Sequence, residues 1–600
     1  MPAFFRRLFS ALPIGLLALF LLLVSGSLAL LYSWVTLDAL HLLRRTIYAR
    51  NEMPEFVLQV APARYALLRT SLWGAALGAA ATLAYRLRRG QLSVELRELS
   101  QNLRAVISSV WGSVVRLSLP EKLAGSLLLL GVLALRLYYA AVYPLSTDEV
   151  ATYDYFVSGG PVASTSFYPI PNNHVLFSLS CWVVSWFTSH DVVILRLPTL
   201  LFSLVGTAAA YALLIRVTSF RIASCAAGLF CLSPLSLYYA MTGRGYFLLI
   251  VLTLGQFFAT LAILHSARFQ RLGWGAFVLT GVLGLYTIPT YAYPLVSLGL
   301  WLAVVFFRRQ QWAGLAALAG ASTLVGLGTL LLYAPVICVS GLRALAANSY
   351  IAPQSLAAFW QSYALYLLKP ARELFGHEQL SAPGFVGLLL AVLAVLPWLP
   401  PRLRRIALPA VVLVLLPFVY MPIQRVYSPA RVLLYATFFF CIGVAISGEW
   451  MLQRLQVPPR LRLVALGLAV GLYGLYEVAH FRYAVRAAQS QARQLQGSYA
   501  WLRQQRPKRV YFDAPFHKLY FHHYALTTHY PLHLFEAASA QGSSYDYVVL
   551  FRGQAVLPPW LTPAAYRLAY ADDGATIYQR VAARPAHAPP PSPKAADAGK

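Results

Sequence analysis

The sequence predicts a mainly α, polytopic transmembrane helical protein of about thirteen spans that ends in a small α/β domain. Three observations carry that prediction. The 600 residues are 59% hydrophobic and only 11% charged, with a mean hydropathy of +0.61, far from the balance of soluble domains. Apolar runs recur at about the 20 residues a helix needs to cross a bilayer. Lys and Arg collect in alternate short loops, the distribution that marks a cytoplasmic side.

Taken in order, spans are expected near residues 12–36, 67–86, 122–143, 194–216, 222–241, 246–266, 272–289, 292–307, 312–338, 384–400, 406–421, 430–448 and 462–480. The first apolar run has a basic flank, but it is too long for a signal-peptide core, so a retained span is expected there. Arg86 with its neighbours, Arg216 to Arg221, Arg268 with Arg271, Arg308 with Arg309, Arg402 to Arg405, and Arg460 all fall on one side, expected to be cytoplasmic. From Tyr143 to Asp191 there is no Lys or Arg, while Asp148, Glu149, Asp154 and Asp191 are present. That segment and the C-terminus are expected outside. The loop 38–66 is placed outside too, although it carries Arg44, Arg45, Arg50 and Arg64.

Membrane topology and anionic headgroups account for the net charge of +28, so no nucleic-acid partner is expected. All five cysteines lie in apolar segments, which leaves no disulfide framework and no C-x-x-C pair. Residues 1–121 read as an N-terminal extension with two spans, and 122–480 as the main membrane module. The aromatic and polar loop 340–383 holds helical stretches suited to the membrane interface. Residues 481–582 form the expected α/β domain: a helix from FRYAVRAAQ onward, then strands in RVYFD, YDYVVLF and ATIYQRV. Residues 583–600 are Pro/Ala-rich and expected to be disordered.

The chemistry concentrates just outside the third span, in YPLSTDEVATYDYF. Asp148 and Glu149 there could be solvated acids that mark a helix end. After them, PNNH, with Asn173 and His174, opens a short amphipathic stretch suited to roofing a cavity along the membrane. Its Asn and His could equally serve as polar helix starts. Arg196, Arg244, Arg425 and Arg431 stand at other outward-facing helix junctions. Each alone could be a headgroup anchor; gathered round a carboxylate they suit an anionic ligand, because the guanidinium fork binds two phosphate oxygens at once. Asp154 reads as a solvated loop acid.

The order of the DE pair, the P-x-NNH element, the RLP of the next span and the S-P…YY…RGY turn resembles the GT-C class of polytopic glycosyltransferases. That class includes protein O-mannosyltransferases and the lipid A aminoarabinose transferase. The likeness runs from about Leu123 to His480 and is strongest between Tyr143 and Tyr246. It implies a GT-C-like fold in a plasma (inner) membrane, with the site and C-terminal domain extracytoplasmic. It also implies transfer of a hexosyl or pentosyl group from a polyprenyl-phosphate donor to an acceptor hydroxyl, with inversion. Asp148 matches the catalytic base, and Glu149 is a second catalytic candidate as a positioning residue, a partner to substrate or a metal ligand. Arg244 with Tyr246 matches the turn assigned to the leaving phosphate; Arg431, Arg425, His174 and Asn173 follow.

One carboxylate suffices for such chemistry. A glycosidase needs a second to protonate a poor leaving group, whereas a phosphate monoester departs as a stable anion that arginine or a metal can meet. A divalent metal is compatible with the reaction and not required by it.

His517, His522, His523, His529 and His533 crowd a short stretch of the tail. Their spacing follows no closed zinc pattern, and surface histidines among aromatics are expected. Rival readings are a transporter or flippase for lipid-linked saccharides, which would place charges near the bilayer midplane, a ligase or polymerase of such glycans, and a non-catalytic assembly subunit.

Overall fold

The computed structural model describes residues 12–48, 56–346, 353–375, 381–536, 545–551 and 557–581; the Pro/Ala-rich stretch 583–600 lies outside them. The chain forms two compact units, Met1–Arg45 with Pro54–Arg486, and Thr46–Met53 with Ala487–Lys600. Among the described residues nine helices are long and apolar enough to cross a membrane, or ten if one bent pair counts as a span.

Each of the thirteen expected spans falls on a helix, but not all of them qualify. Pro62–Arg88 is diluted by Arg64, Arg69, Arg86 and Arg88. Gln270–Thr287 has only 18 residues and opens on Gln270 and Arg271. Pro383–Trp398 is apolar but short. The span expected over 222–241 is broken: Phe220–Leu232 and Pro234–Met241 meet at 73°. Pro234 disfavours the α conformation in the residue before it, and Ser233 is extended at φ −66°, ψ 146°.

The segment that builds the site begins where Leu119–Val142 stops at an extended Tyr143. A short helix, Thr147–Thr152, follows and widens into a π turn, Tyr153–Val157. Gly160–Ser166 comes next, and then Val175–Val184, which is the amphipathic stretch expected after PNNH. Phe177 and Cys181 are buried on its inner side, while Trp186 and Phe187 just beyond it are exposed. The span Asp191–Val217 then re-enters, with Arg196 in its second turn. In the loop 340–383 the described helices are Leu342–Ala346 and Leu356–Phe375; residues 347–352 and 376–380 lie outside the described residues.

The second unit holds a five-stranded sheet of order β2-β1-β3-β5-β4, with β1 Arg509–Phe512, β2 His533–Glu536, β3 Tyr547–Phe551, β4 Tyr566–Ala571 and β5 Ala575–Arg580. β1 pairs in parallel with β2 and β3, and β5 is antiparallel to β3 and β4. The helix Pro515–Thr527 makes the crossover from β1 to β2, as parallel pairing requires. The helix expected from residue 481 is no separate element: it continues the last span as one helix, Pro459–Gln504.

Candidate active site

Glu149 is the structural centre of the DE pair. Ser146 caps the helix Thr147–Thr152, and Glu149 returns the contact three residues on, a capping box. Its carboxylate accepts from Ser146 N–H at 2.9 Å and Ser146 Oγ at 3.0 Å. Arg196 donates from Nε at 2.9 Å and from Nη2 at 3.2 Å, and Gly243 N–H donates at 2.7 Å. Glu149 is fully buried and Arg196 almost so. The rest of the Arg196 fork reaches the carbonyls of Ala140 and Tyr143 at 2.7 Å and Pro144 at 2.9 Å. Carbonyls at a helix C-terminus lack intrahelical partners, so one arginine closes the end of Leu119–Val142 and neutralises Glu149. Five donors saturate the Glu149 carboxylate. It holds the loop in place and is not free to act as a base, a substrate partner or a metal ligand.

Asp148 points elsewhere, because successive residues on a helix diverge by about 100°. Its side chain is 42% exposed, and Oδ2 lies 3.7 Å from Arg244 Nη2, close enough for charge attraction but beyond hydrogen-bond range. Arg244 is itself buried. Its Nη1 donates to Thr152 Oγ1 at 2.7 Å, to the Asn172 carbonyl at 3.1 Å and to the Asp148 carbonyl at 3.3 Å. Asn172 Nδ2 also donates to the Asp148 carbonyl, at 3.1 Å. Among the described residues Arg244 Nε has no hydrogen-bond partner.

His174 faces this guanidinium, with Nε2 at 3.3 Å from Arg244 Nη2. It stands at the N-cap of Val175–Val184 but makes no capping bond; instead Nδ1 accepts the Gly245 N–H at 3.0 Å. Burial, then the charges of Arg244 and Arg431, hold its pKa well below the usual imidazole range. A neutral ring whose Nδ1 is an acceptor carries its proton on Nε2. Two donors, imidazole and guanidinium, therefore confront each other with no acceptor between them.

The TGRGY turn owes its shape to close approaches. A Cβ on Gly243 would lie 2.9 Å from the Leu195 carbonyl oxygen, and one on Gly245 would lie 3.0 Å from the His174 ring nitrogen; only glycine fits both. Tyr246 opens the next span, edge-on to His174 at 4.8 Å and to Tyr239 at 4.6 Å. Arg431, half-buried in the turn Ala430–Leu433, lies within electrostatic reach of Tyr246, Tyr239 and Asp148.

The structure thus brings Asp148, Arg244, His174, Tyr246 and Arg431 together. It does not bring in two others. Asn173 is fully buried and spends its amide on Ser164 and Phe167 carbonyls, at 2.9 and 3.0 Å, and on Ser178 Oγ, at 2.8 Å. Arg425 is the left-handed C-cap of Pro401–Gln424, and among the described residues no hydrogen bond or ion pair joins it to the cluster. Asp154 is buried rather than solvated, because the chain continues through a π turn of packed neighbours instead of opening into a loop. Thr152, Asn172 and Gly243 escaped the sequence reading; they act through a hydroxyl, an amide and a backbone N–H, groups too common to leave a residue-type signal.

Among the described residues no three His, Cys, Asp or Glu side chains converge as metal ligands. His517, His522 and His523 are buried on Pro515–Thr527, not superficial.

No family model matches the chain, and no curated protein matches it. Solved structures do match, two of a single protein among them. ArnT from Cupriavidus metallidurans bound to undecaprenyl phosphate is 13% identical at a TM-score of 0.52, covering 76% of this chain and 98% of its own. The apo structure of the same protein gives 13% identity and a TM-score of 0.53 over the same shares. The chain has their polytopic fold, as the GT-C resemblance implied.

Proposed function

We propose that this protein is a membrane glycosyltransferase that moves a sugar from a polyprenyl-phosphate donor to an acceptor hydroxyl on the extracytoplasmic face. The observation that carries the reading is an exposed Asp148 carboxylate held beside a buried Arg244 whose Nε has no hydrogen-bond acceptor among the described residues and whose Nη2 faces His174 Nε2. A phosphate oxygen between them would supply that acceptor and relieve their mutual repulsion. Two facts lend support: the chain shares the fold of ArnT, and one ArnT structure holds undecaprenyl phosphate.

In this mechanism Asp148 takes the proton of the acceptor hydroxyl as its oxygen forms a bond to the anomeric carbon. The bond from that carbon to the phosphate oxygen breaks on the opposite face, which inverts the centre. Polyprenyl phosphate leaves as an anion, its growing charge met by Arg244 and His174 Nε2–H, with Arg431 behind Tyr246. In this reading the positive charge at the leaving phosphate is that of arginine. Glu149 and Arg196 act earlier, by fixing the turn from which Asp148 projects.

Purified Asp148→Asn protein is expected to keep its fold and its affinity for donor while transfer falls by about 10²–10⁴-fold. Transfer at the wild-type rate would remove Asp148 from the role of base.

A further inference from the structure

None of the expected elements covers the helix Gln91–Val115, and the proposed reaction makes no use of it. It leaves Pro62–Arg88 through Gly90, in the left-handed region at φ 65°, and leads into Leu119–Val142 through a capping box of Ser118 and Glu121. Its polar side is fastened to the ends of four helices of the bundle. Glu95 accepts from Leu16 N–H at 3.1 Å and pairs with Arg86 and, at 3.1 Å, with Arg271. Glu98 pairs with Arg271 at 2.9 Å, and Ser109 Oγ accepts from Arg216 at 2.5 Å. Leu16 and Arg271 begin their helices, whereas Arg86 and Arg216 end theirs. A helix of 25 residues tied to all four runs along one side of the bundle instead of through it.

That fastening sets its rotation. Leu96, Leu103, Ile107 and Trp111 share about 80° of arc away from the ion pairs, and they are 44%, 44%, 65% and 67% exposed. Arg97 and Arg104 border one edge of the stripe, and Arg88, Arg89 and Arg116 stand at the helix ends, all exposed. The helix has two acids, Glu95 and Glu98, and both face the protein. Its outer face is therefore apolar along the middle and carries basic charge along one edge and at both ends, level with the arginine-rich ends of the spans.

We propose that Gln91–Val115 is an in-plane membrane anchor that engages anionic phospholipid on the arginine-rich side. Charge complementarity selects the occupant: the stripe seats at the boundary of headgroups and acyl chains while Arg97 and Arg104 meet lipid phosphates. The inference is independent of the transferase reading.

The test uses full-length Ile107→Cys and Gln101→Cys proteins in nanodiscs. All five native cysteines are buried, so label goes to the new thiol. A nitroxide at 107 is expected to be more accessible to oxygen than to a water-borne nickel chelate, and one at 101 the reverse. With a fluorophore at 107, brominated phosphatidylglycerol should quench at least about twofold more than brominated phosphatidylcholine at equal content. Arg97→Gln with Arg104→Gln should bring that ratio to unity. Equal nickel access at both positions would overturn the anchor. Shielding of 107 from both reagents would overturn it too, by showing a protein partner on the face. A quenching ratio of unity in the parent protein would overturn the choice of anionic lipid.

Discussion

Asp148 and Glu149 carry the same functional group, yet a single residue step of about 100° along the helix sends them into different surroundings. Glu149 is saturated by five donors, whereas Asp148 keeps an exposed carboxylate. Arg244 lies between these extremes, anchored by Nη1 and free at Nε. Arg244→Ala removes charge-assisted bonds worth about 1.5–3 kcal/mol, so the KM for a lipid-linked donor is expected to rise about 10–150-fold, with a further loss in kcat. Unchanged kinetics would show that the guanidinium serves packing alone. Arg244 was legible in the sequence because the RGY that contains it stands at an outward-facing helix junction and matches a turn of the family the sequence resembles. The adjacent amides were not. Asn172 turns to the Asp148 carbonyl and Asn173 to Ser164 and Phe167, a choice settled by backbone direction that composition cannot express.

Among the elements, the short helix Thr147–Thr152 depends on a partner far along the chain, Arg196. Breaking a buried ion pair by removing one partner costs about 3–5 kcal/mol. Arg196→Ala is therefore expected to lower the unfolding midpoint of the purified protein clearly, while Glu149→Gln, which keeps the shape but loses the charge, should cost less. Equal stability of all three proteins would contradict the lock.

In the second unit His517 is buried, and that burial lowers its pKa. The unfolded chain binds a proton near the ordinary value of about 6.5 that the folded domain resists. Stability is then full above that value and declines as pH falls below it. Hydrogen exchange across β1 and β3, corrected for intrinsic rates, should show protection falling from pH 7.5 to pH 5.5, and His517→Gln should flatten that slope. β1, β3 and β5 were readable as strands because they are the inner strands of the sheet. β2 and β4 were not: they are its two edges, and β4 alternates too weakly between buried and exposed residues to give the period of two on which strand reading depends.

For the whole molecule, the long apolar helices and the arginine-rich loops were plain in the sequence, since bilayer thickness and charge placement are properties of short windows. The span count was less so, because proline breaks and arginine dilution change what a helix can do without changing that it is one. In the proposed function, the outer end of this bundle joins a membrane-held sugar phosphate to a hydroxyl acceptor, with Asp148 at the meeting point. The direct measurement supplies purified protein with a panel of polyprenyl-phosphate sugars, together with hydroxyl acceptors, and follows release of polyprenyl phosphate. The expected result is sugar-dependent release by the wild-type protein and none by Asp148→Asn. Equal release by both proteins, or vectorial movement of the intact donor across a vesicle membrane without any release, would contradict it.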